Sequence, residues 1–167
     1  RILCAILIYL ILYLESNYPI ALFLFFIASF SDFLDGYLAR KTNSVSVLGE
    51  ILDPIADKLL IVFVLIGLSI NLDSFLIGFI SSAIISREIW VAALRDINAR
   101  NNQSDKTKVT LLAKTKTAIQ MFAILIYLFG LTLNNMMVLF FADIILIIAL
   151  LVTIHTGFQY TISTFKK

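Results

Sequence analysis

Residues 19–40 read PIALFLFFIASFSDFLDGYLAR, and residues 47–70 read VLGEILDPIADKLLIVFVLIGLSI. A helix that crosses a bilayer takes about 20 mainly apolar residues, and both stretches reach that length. Pro19 suits a first helical turn, where its missing N–H is not needed. Yet each stretch carries two carboxylates, Asp32 and Asp35 in the first and Asp53 and Asp57 in the second. An aspartate at the centre of a spanning helix costs about 2.5–3.5 kcal/mol on insertion scales, and less towards the interface. Four in one hairpin require compensating partners, and Lys58 and Arg40 could supply part of the charge. A passive membrane hairpin has no use for such a set.

Four further apolar runs flank this pair, at 2–14, 74–94, 110–133 and 136–160. Of the 167 residues, 60% are hydrophobic and 14% charged, with a mean hydropathy of +0.99. A soluble domain of this length keeps too large a surface-to-volume ratio to hide so much apolar area, so lipid is the expected solvent. The expected fold is all-α and integral to the membrane, a six-transmembrane-helix bundle forming one domain over residues 1–167. The first run begins at once, without an initiator Met, so the N-terminus reads as incomplete. No small-residue cleavage site follows that run, which argues against a signal peptide. The polar stretch 95–108 lacks apolar periodicity and reads as a loop that extends one helix at most. Cys4 is the single cysteine, which excludes an internal disulfide framework, and it reads as a small core residue. The net charge of +2, with no basic stripe interleaved with aromatics, excludes nucleic acid as a partner.

Basic residues set the orientation. The turns at 15–18, 71–73 and 134–135 contain no Lys or Arg. Arg40, Lys41, Arg95, Arg100, Lys106 and Lys108 fall on the other side, together with Arg1, Lys166 and Lys167 at the two ends. The positive-inside rule makes that side cytoplasmic, with both termini inside, in a multi-pass protein of the cell (inner) membrane. The four aspartates lie towards the same side.

Asp32, Gly36 and Arg40 recur every four residues, and Gly49, Asp53 and Asp57 repeat that spacing on the next helix. Residues three or four apart share a helix face. A short connection makes the two helices antiparallel neighbours whose acidic faces point at each other. Gly36, Ala39 and Gly49 remove bulk there, so a ligand or a backbone can come close. Four carboxylates around a cavity suit hard, oxygen-seeking cations such as Mg²⁺ or Mn²⁺. Two such ions about 3.5–4 Å apart would clamp a pyrophosphate. The bland alternative is a salt-bridged hairpin of helix-end aspartates.

The run Asp32-x₂-Asp35-Gly36-x₂-Ala39-Arg40-x₈-Gly49-x₃-Asp53-x₃-Asp57 resembles, at every fixed position, the signature of the CDP-alcohol phosphatidyltransferases. The resemblance covers nearly the whole chain. It implies six transmembrane helices, usually in a homodimer, and a metal-dependent site open to the cytoplasmic leaflet. There CDP-diacylglycerol would lose CMP to an acceptor alcohol. It implies Asp32, Asp35, Asp53 and Asp57 as metal ligands, with Asp57 also taking the acceptor's proton. Asp32, Gly36, Ala39 and Arg40 would bind the donor nucleotide and pyrophosphate.

The acceptor is read from the fourth and fifth runs. Arg87 and Arg95 lie eight residues apart on one helix, and Lys114 and Lys116 open the next run. Four cations near an acidic site suggest an anionic acceptor, since arginine is well shaped for phosphate. The alternative for them is snorkelling at the interface. The Arg-Glu-Ile, Ala-Leu-Arg and Lys-Thr-Lys-Thr elements are similar to the branch of the family that uses glycerol 3-phosphate, with Ala113 where many of its members have Gly. The family's cardiolipin synthases, which accept phosphatidylglycerol, are the rival branch, and a divalent-cation transporter is the alternative from another class. Glu88 is expected to brace Arg87 or Arg95, Asp143 to pair with a polar neighbour, Trp90 to pack or sit at the interface, and His155 to pack rather than to ligate.

Overall fold

The computed structural model describes residues 1–14, 17–42, 47–102, 105 and 111–166, with side chains left aside at 32–42, 47–48, 50–51 and 111–114. Six α-helices carry the chain: α1 Ile2–Leu14, α2 Tyr18–Thr42, α3 Val47–Asn71, α4 Phe75–Arg100, α5 Leu111–Thr132 and α6 Met136–Phe165. Among the described residues there is no strand. Three segments, Phe75–Arg100, Thr115–Thr132 and Met136–Phe165, are long and apolar enough to cross a membrane. The outer faces expose Phe23, Phe79, Phe129, Phe140 and Leu151, the inverse of a soluble surface and the pattern expected against lipid tails.

The turns follow from local chemistry. Asp73 and Asn134 adopt positive φ, +46° and +49°, after α3 and α5, a conformation that Asp and Asn tolerate better than most residues. The next residue in each case caps the following helix. Ser74 Oγ accepts from the Ile77 N–H, and Asn135 Oδ1 accepts from the N–H groups of Met137 and Val138.

The helices pack as a ring in the order α1, α3, α4, α6, α5, α2, with α3 also touching α5 across it. Fully buried Ala5, Ile8 and Leu12 of α1 join Leu60, Val64, Ile80, Ile124 and Leu146 in the shared core. A Cβ at Gly67 would stand 3.1 Å from Leu12 Cδ1, so the glycine lets α1 lie close on α3. The expected direct pairing of α2 with α3 is therefore not the main packing among the described residues: α2 rests on α1 and α5, which α3 also contacts. α1 contacts both α2 and α3, with Ala5, Ile8 and Leu12 buried in the shared core.

The stretch 95–108, read as a loop or the extension of one helix, does extend a helix at its start, because α4 continues to Arg100. Asn98 is almost fully buried and donates to Thr164 Oγ1 at 2.9 Å, and Asp96 pairs with Arg100 one turn on at 2.8 Å. Asn98 thus has its partner on α6, and Asp96 and Arg100 have theirs on their own helix, which substitutes for the missing apolar stripe.

Asp143 accepts a hydrogen bond from the buried Tyr127 hydroxyl, tying α6 to α5 within the bundle. Such bonds between membrane helices are worth roughly 0.6–2 kcal/mol. Tyr127→Phe is therefore expected to lower the thermal unfolding temperature in detergent by a few degrees, and an unchanged temperature would contradict this role.

Candidate functional site

Between the first half of α3, the second half of α4 and the start of α5, the bundle opens into a cleft of about 580 Å³. Asp53 and Asp57 line it from α3, Arg87, Glu88 and Arg95 from α4, and Lys116 from α5. One wall is thus acidic and the other predominantly basic.

On the acidic wall, Asp53 and Asp57 sit one helical turn apart and share a face. Both accept from the same guanidinium, that of Arg1: Nη2 donates to Asp53 Oδ1 at 3.0 Å, and Nη1 donates to Asp57 Oδ1. The Arg1 side chain is only 7% exposed, whereas that of Asp53 is 59% exposed to the cleft mouth. Two carboxylates turned towards one positive group are a donor set that fits a hard divalent cation. Among the described residues no three His, Cys, Asp or Glu side chains come together. Asp32, Asp35, Gly36, Ala39 and Arg40 lie on α2 and Lys114 on α5, and their side chains fall outside the described residues.

Of the two cations expected beside the acids, Arg40 has its side chain outside the described residues, and Lys58 turns elsewhere. Lys58 does not neutralise Asp53 or Asp57 in this cleft; its Nζ lies 3.3 Å from Glu88 Oε2. One residue past Asp57 is about 100° further round the helix, which turns Lys58 towards α4. Arg1, read from sequence only as a flanking positive charge, takes that place. Its signal was a lone arginine heading an apolar run, but a contact across more than 50 positions leaves no periodicity to read.

On the basic wall, Arg87 is held on several sides. Its Nε donates to the Thr153 carbonyl at 3.1 Å, its Nη2 to Thr156 Oγ1 at 2.9 Å and its Nη1 to Glu88 Oε1 at 2.8 Å. Its guanidinium lies 5.7 Å from the centre of the Tyr160 ring, and that of Arg95 lies 5.6 Å from the same ring. A Cβ at Gly157 would come within 3.0 Å of Arg87 Cγ, so the glycine gives the arginine its passage across α6. Lys116 Nζ donates to Glu88 Oε1. The expected bracing by Glu88 thus falls on Arg87, together with Lys58 and Lys116, and not on Arg95. Arg95 instead buries an Nε beside the cleft that has no hydrogen-bond partner among the described residues.

Two residues lie away from this chemistry. His155 faces Gln159 at 3.0 Å on the exposed side of α6, and Trp90 Nε1 donates to Thr161 Oγ1 while half its surface remains exposed. Tyr160, which joins the two arginines, was not singled out from sequence, because an aromatic near the end of a membrane helix commonly signals only an interface.

Sequence comparisons show which proteins this chain is similar to. The family model for CDP-alcohol phosphatidyltransferase matches residues 1–155. A Rickettsia bellii protein is 45% identical over 138 residues, 82% of this chain and 74% of its own length. A Haemophilus influenzae protein is 38% identical over 149 residues, 88% of this chain and 78% of its own. A Rickettsia typhi protein is 39% identical over 165 residues, 96% of this chain and 89% of its own. All three are named CDP-diacylglycerol–glycerol-3-phosphate 3-phosphatidyltransferase. With most of its length matched by the family model and by these relatives, the chain belongs to the CDP-alcohol phosphatidyltransferase family, a family of membrane transferases of phospholipid biosynthesis.

Proposed function

We propose that this chain transfers the phosphatidyl group of CDP-diacylglycerol to glycerol 3-phosphate, giving phosphatidylglycerophosphate and CMP. The observation that carries the reading is the single cleft in which the acids of α3 face the cations of α4 and α5. The names of the relatives supply the substrates. Family membership favours a transferase over a cation transporter, and no observation favours that alternative. Cardiolipin synthesis would present a phosphodiester acceptor, whereas Arg87, Arg95 and Lys116, which line the cleft together, suit the greater charge of a phosphomonoester.

The acceptor hydroxyl oxygen forms a bond to the phosphatidyl phosphorus. The bond from that phosphorus to CMP breaks, and CMP departs with the electron pair. Asp57 takes the hydroxyl proton, a role that requires a carboxylate at the cleft wall. Arg1 holds Asp53 and Asp57 towards the cleft. Asp53 and Asp57, with Asp32 and Asp35 from α2, would hold two divalent cations, Mg²⁺ or Mn²⁺. When bound, these ions neutralise the donor pyrophosphate and the departing CMP. Asp32, Gly36, Ala39 and Arg40 would line the donor, and Arg87, Arg95, Lys114 and Lys116 the acceptor phosphate. The chain would act as one domain of six spans with both termini on the cytoplasmic side of the inner membrane, its cleft open to that leaflet, and as a homodimer; the family resemblance and the basic-residue bias support this arrangement.

The test is label transfer. Radiolabelled glycerol 3-phosphate, incubated with purified protein, CDP-diacylglycerol and Mg²⁺, is expected to enter the lipid phase with stoichiometric CMP release. Excess chelator should abolish this, and added Mg²⁺ or Mn²⁺ should restore it. Full activity in excess chelator would contradict the metal-dependent mechanism.

A further inference from the structure

Glu88 is an acid on an otherwise basic wall, and the reaction as described gives it no task. Its side chain is 17% exposed, and it gathers cations from three helices: Lys58 of α3, Arg87 of its own α4 and Lys116 of α5. One oxygen, Oε1, takes both Arg87 Nη1 and Lys116 Nζ, so it fixes how far apart those two charges stand. The other oxygen faces Lys58. The order of support runs inward from α6. The Gly157 gap and the Thr153 and Thr156 oxygens fix Arg87, and Arg87 in turn fixes Glu88.

Without a carboxylate there, three like charges would share a largely buried wall. The Lys116 side chain, only 8% exposed, would lose its counter-charge, and a buried unpaired ammonium turns out towards water or sheds its proton. With the carboxylate present, each ammonium commits one of its three donors to Glu88 and keeps others for a ligand. The cations remain charged and positioned, and the wall stays net positive.

We infer that Glu88 is a positioning residue for acceptor recognition, holding Lys58, Arg87 and Lys116 in the arrangement that receives the phosphate of an anionic acceptor. This rests on the proposed function above and adds Lys58 to the acceptor wall. Because both Glu88 oxygens face cations, the residue stands as an organiser of charge and not as a proton acceptor.

The test is steady-state kinetics of the full chain, with each substrate varied in turn, for wild type, Glu88→Gln, Glu88→Asp and Lys58→Met. Glu88→Gln is expected to raise KM for glycerol 3-phosphate about tenfold or more, the scale of a lost charge-assisted contact. KM for CDP-diacylglycerol should stay within about twofold of wild type, and Glu88→Asp should recover part of the loss because it keeps the charge. Lys58→Met, at a side chain 45% exposed and so tolerant of change, should raise the acceptor KM severalfold. If Glu88→Gln fails to fold, Lys58→Met alone decides by the same split between the two KM values. An acceptor KM that falls would mean that Glu88 competes with the phosphate, and equal rises in both KM values would mean a general structural role; either overturns the inference. Wild type that is inactive with glycerol 3-phosphate overturns the functional reading itself, and this inference with it. Active wild type with no acceptor shift in the variants overturns this inference alone.

Discussion

Replacing Asp57 with Asn is expected to lower kcat by about 10²–10⁴, the usual contribution of a positioned general base. The change keeps the shape of the side chain and removes its charge and its capacity to take a proton. It also removes one of the two carboxylates that hold the Arg1 guanidinium, leaving Asp53 as the described partner on that wall. KM for CDP-diacylglycerol should change less than with Asp53→Asn, because the base acts on the acceptor while Asp53 balances the donor's pyrophosphate. Asp53→Asn should both abolish most turnover and weaken donor binding. Single-turnover measurements on the two variants separate these effects. Near wild-type turnover in Asp57→Asn would remove it from the role of base, and unchanged donor affinity in Asp53→Asn would remove that residue from the donor site.

Arg95→Ala is expected to raise KM for glycerol 3-phosphate about tenfold to a hundredfold, since a hydrogen bond to a charged group is worth roughly 1.5–3 kcal/mol. The buried Nε of Arg95 has no hydrogen-bond partner among the described residues, and its guanidinium lies over the Tyr160 ring. Loss of that stacking on a buried ring should cost about 2 kcal/mol, so the unfolding temperature is the control that separates it from the loss of acceptor affinity. Arg87→Ala is different in kind. Three of its five N–H donors go to Thr153, Thr156 and Glu88 and two remain for a ligand, so its loss should lower the unfolding temperature as well as the acceptor affinity. Arg87→Lys should not rescue it, because one ammonium cannot span those three acceptors in a planar fork. If Arg95→Ala instead raises KM for the donor and leaves the acceptor unchanged, the basic wall belongs to the nucleotide.

The six apolar runs were legible because bilayer-length hydrophobicity is a local signal, and the turns at Asp73 and Asn134 could be placed because the polar residues there interrupt those runs. The end of α4 was not, because Asn98 stays in the helix through a bond to Thr164, 66 positions away. The gathering of Asp53, Asp57, Arg87, Arg95 and Lys116 into one cleft could be anticipated from helical spacing and common membrane depth. Which cation meets which acid could not. Lys58 turns to Glu88 by a rotation of one residue, and Arg1 reaches Asp53 and Asp57 only because α1 lies against α3. Pairing of this sort depends on which helices adjoin in the ring, and the sequence holds no local record of that order.

The central claim is that one cleft joins a cytidine-activated lipid to an anionic alcohol. CMP release by purified protein, measured with CDP-diacylglycerol and a panel of glycerol 3-phosphate, phosphatidylglycerol, glycerol, serine and inositol phosphate, tests it most directly. Release is expected to be fastest with glycerol 3-phosphate and slow with uncharged glycerol, with a phosphatidyl lipid formed in equal amount. Fastest release with glycerol or serine, or no release with any acceptor, would contradict it.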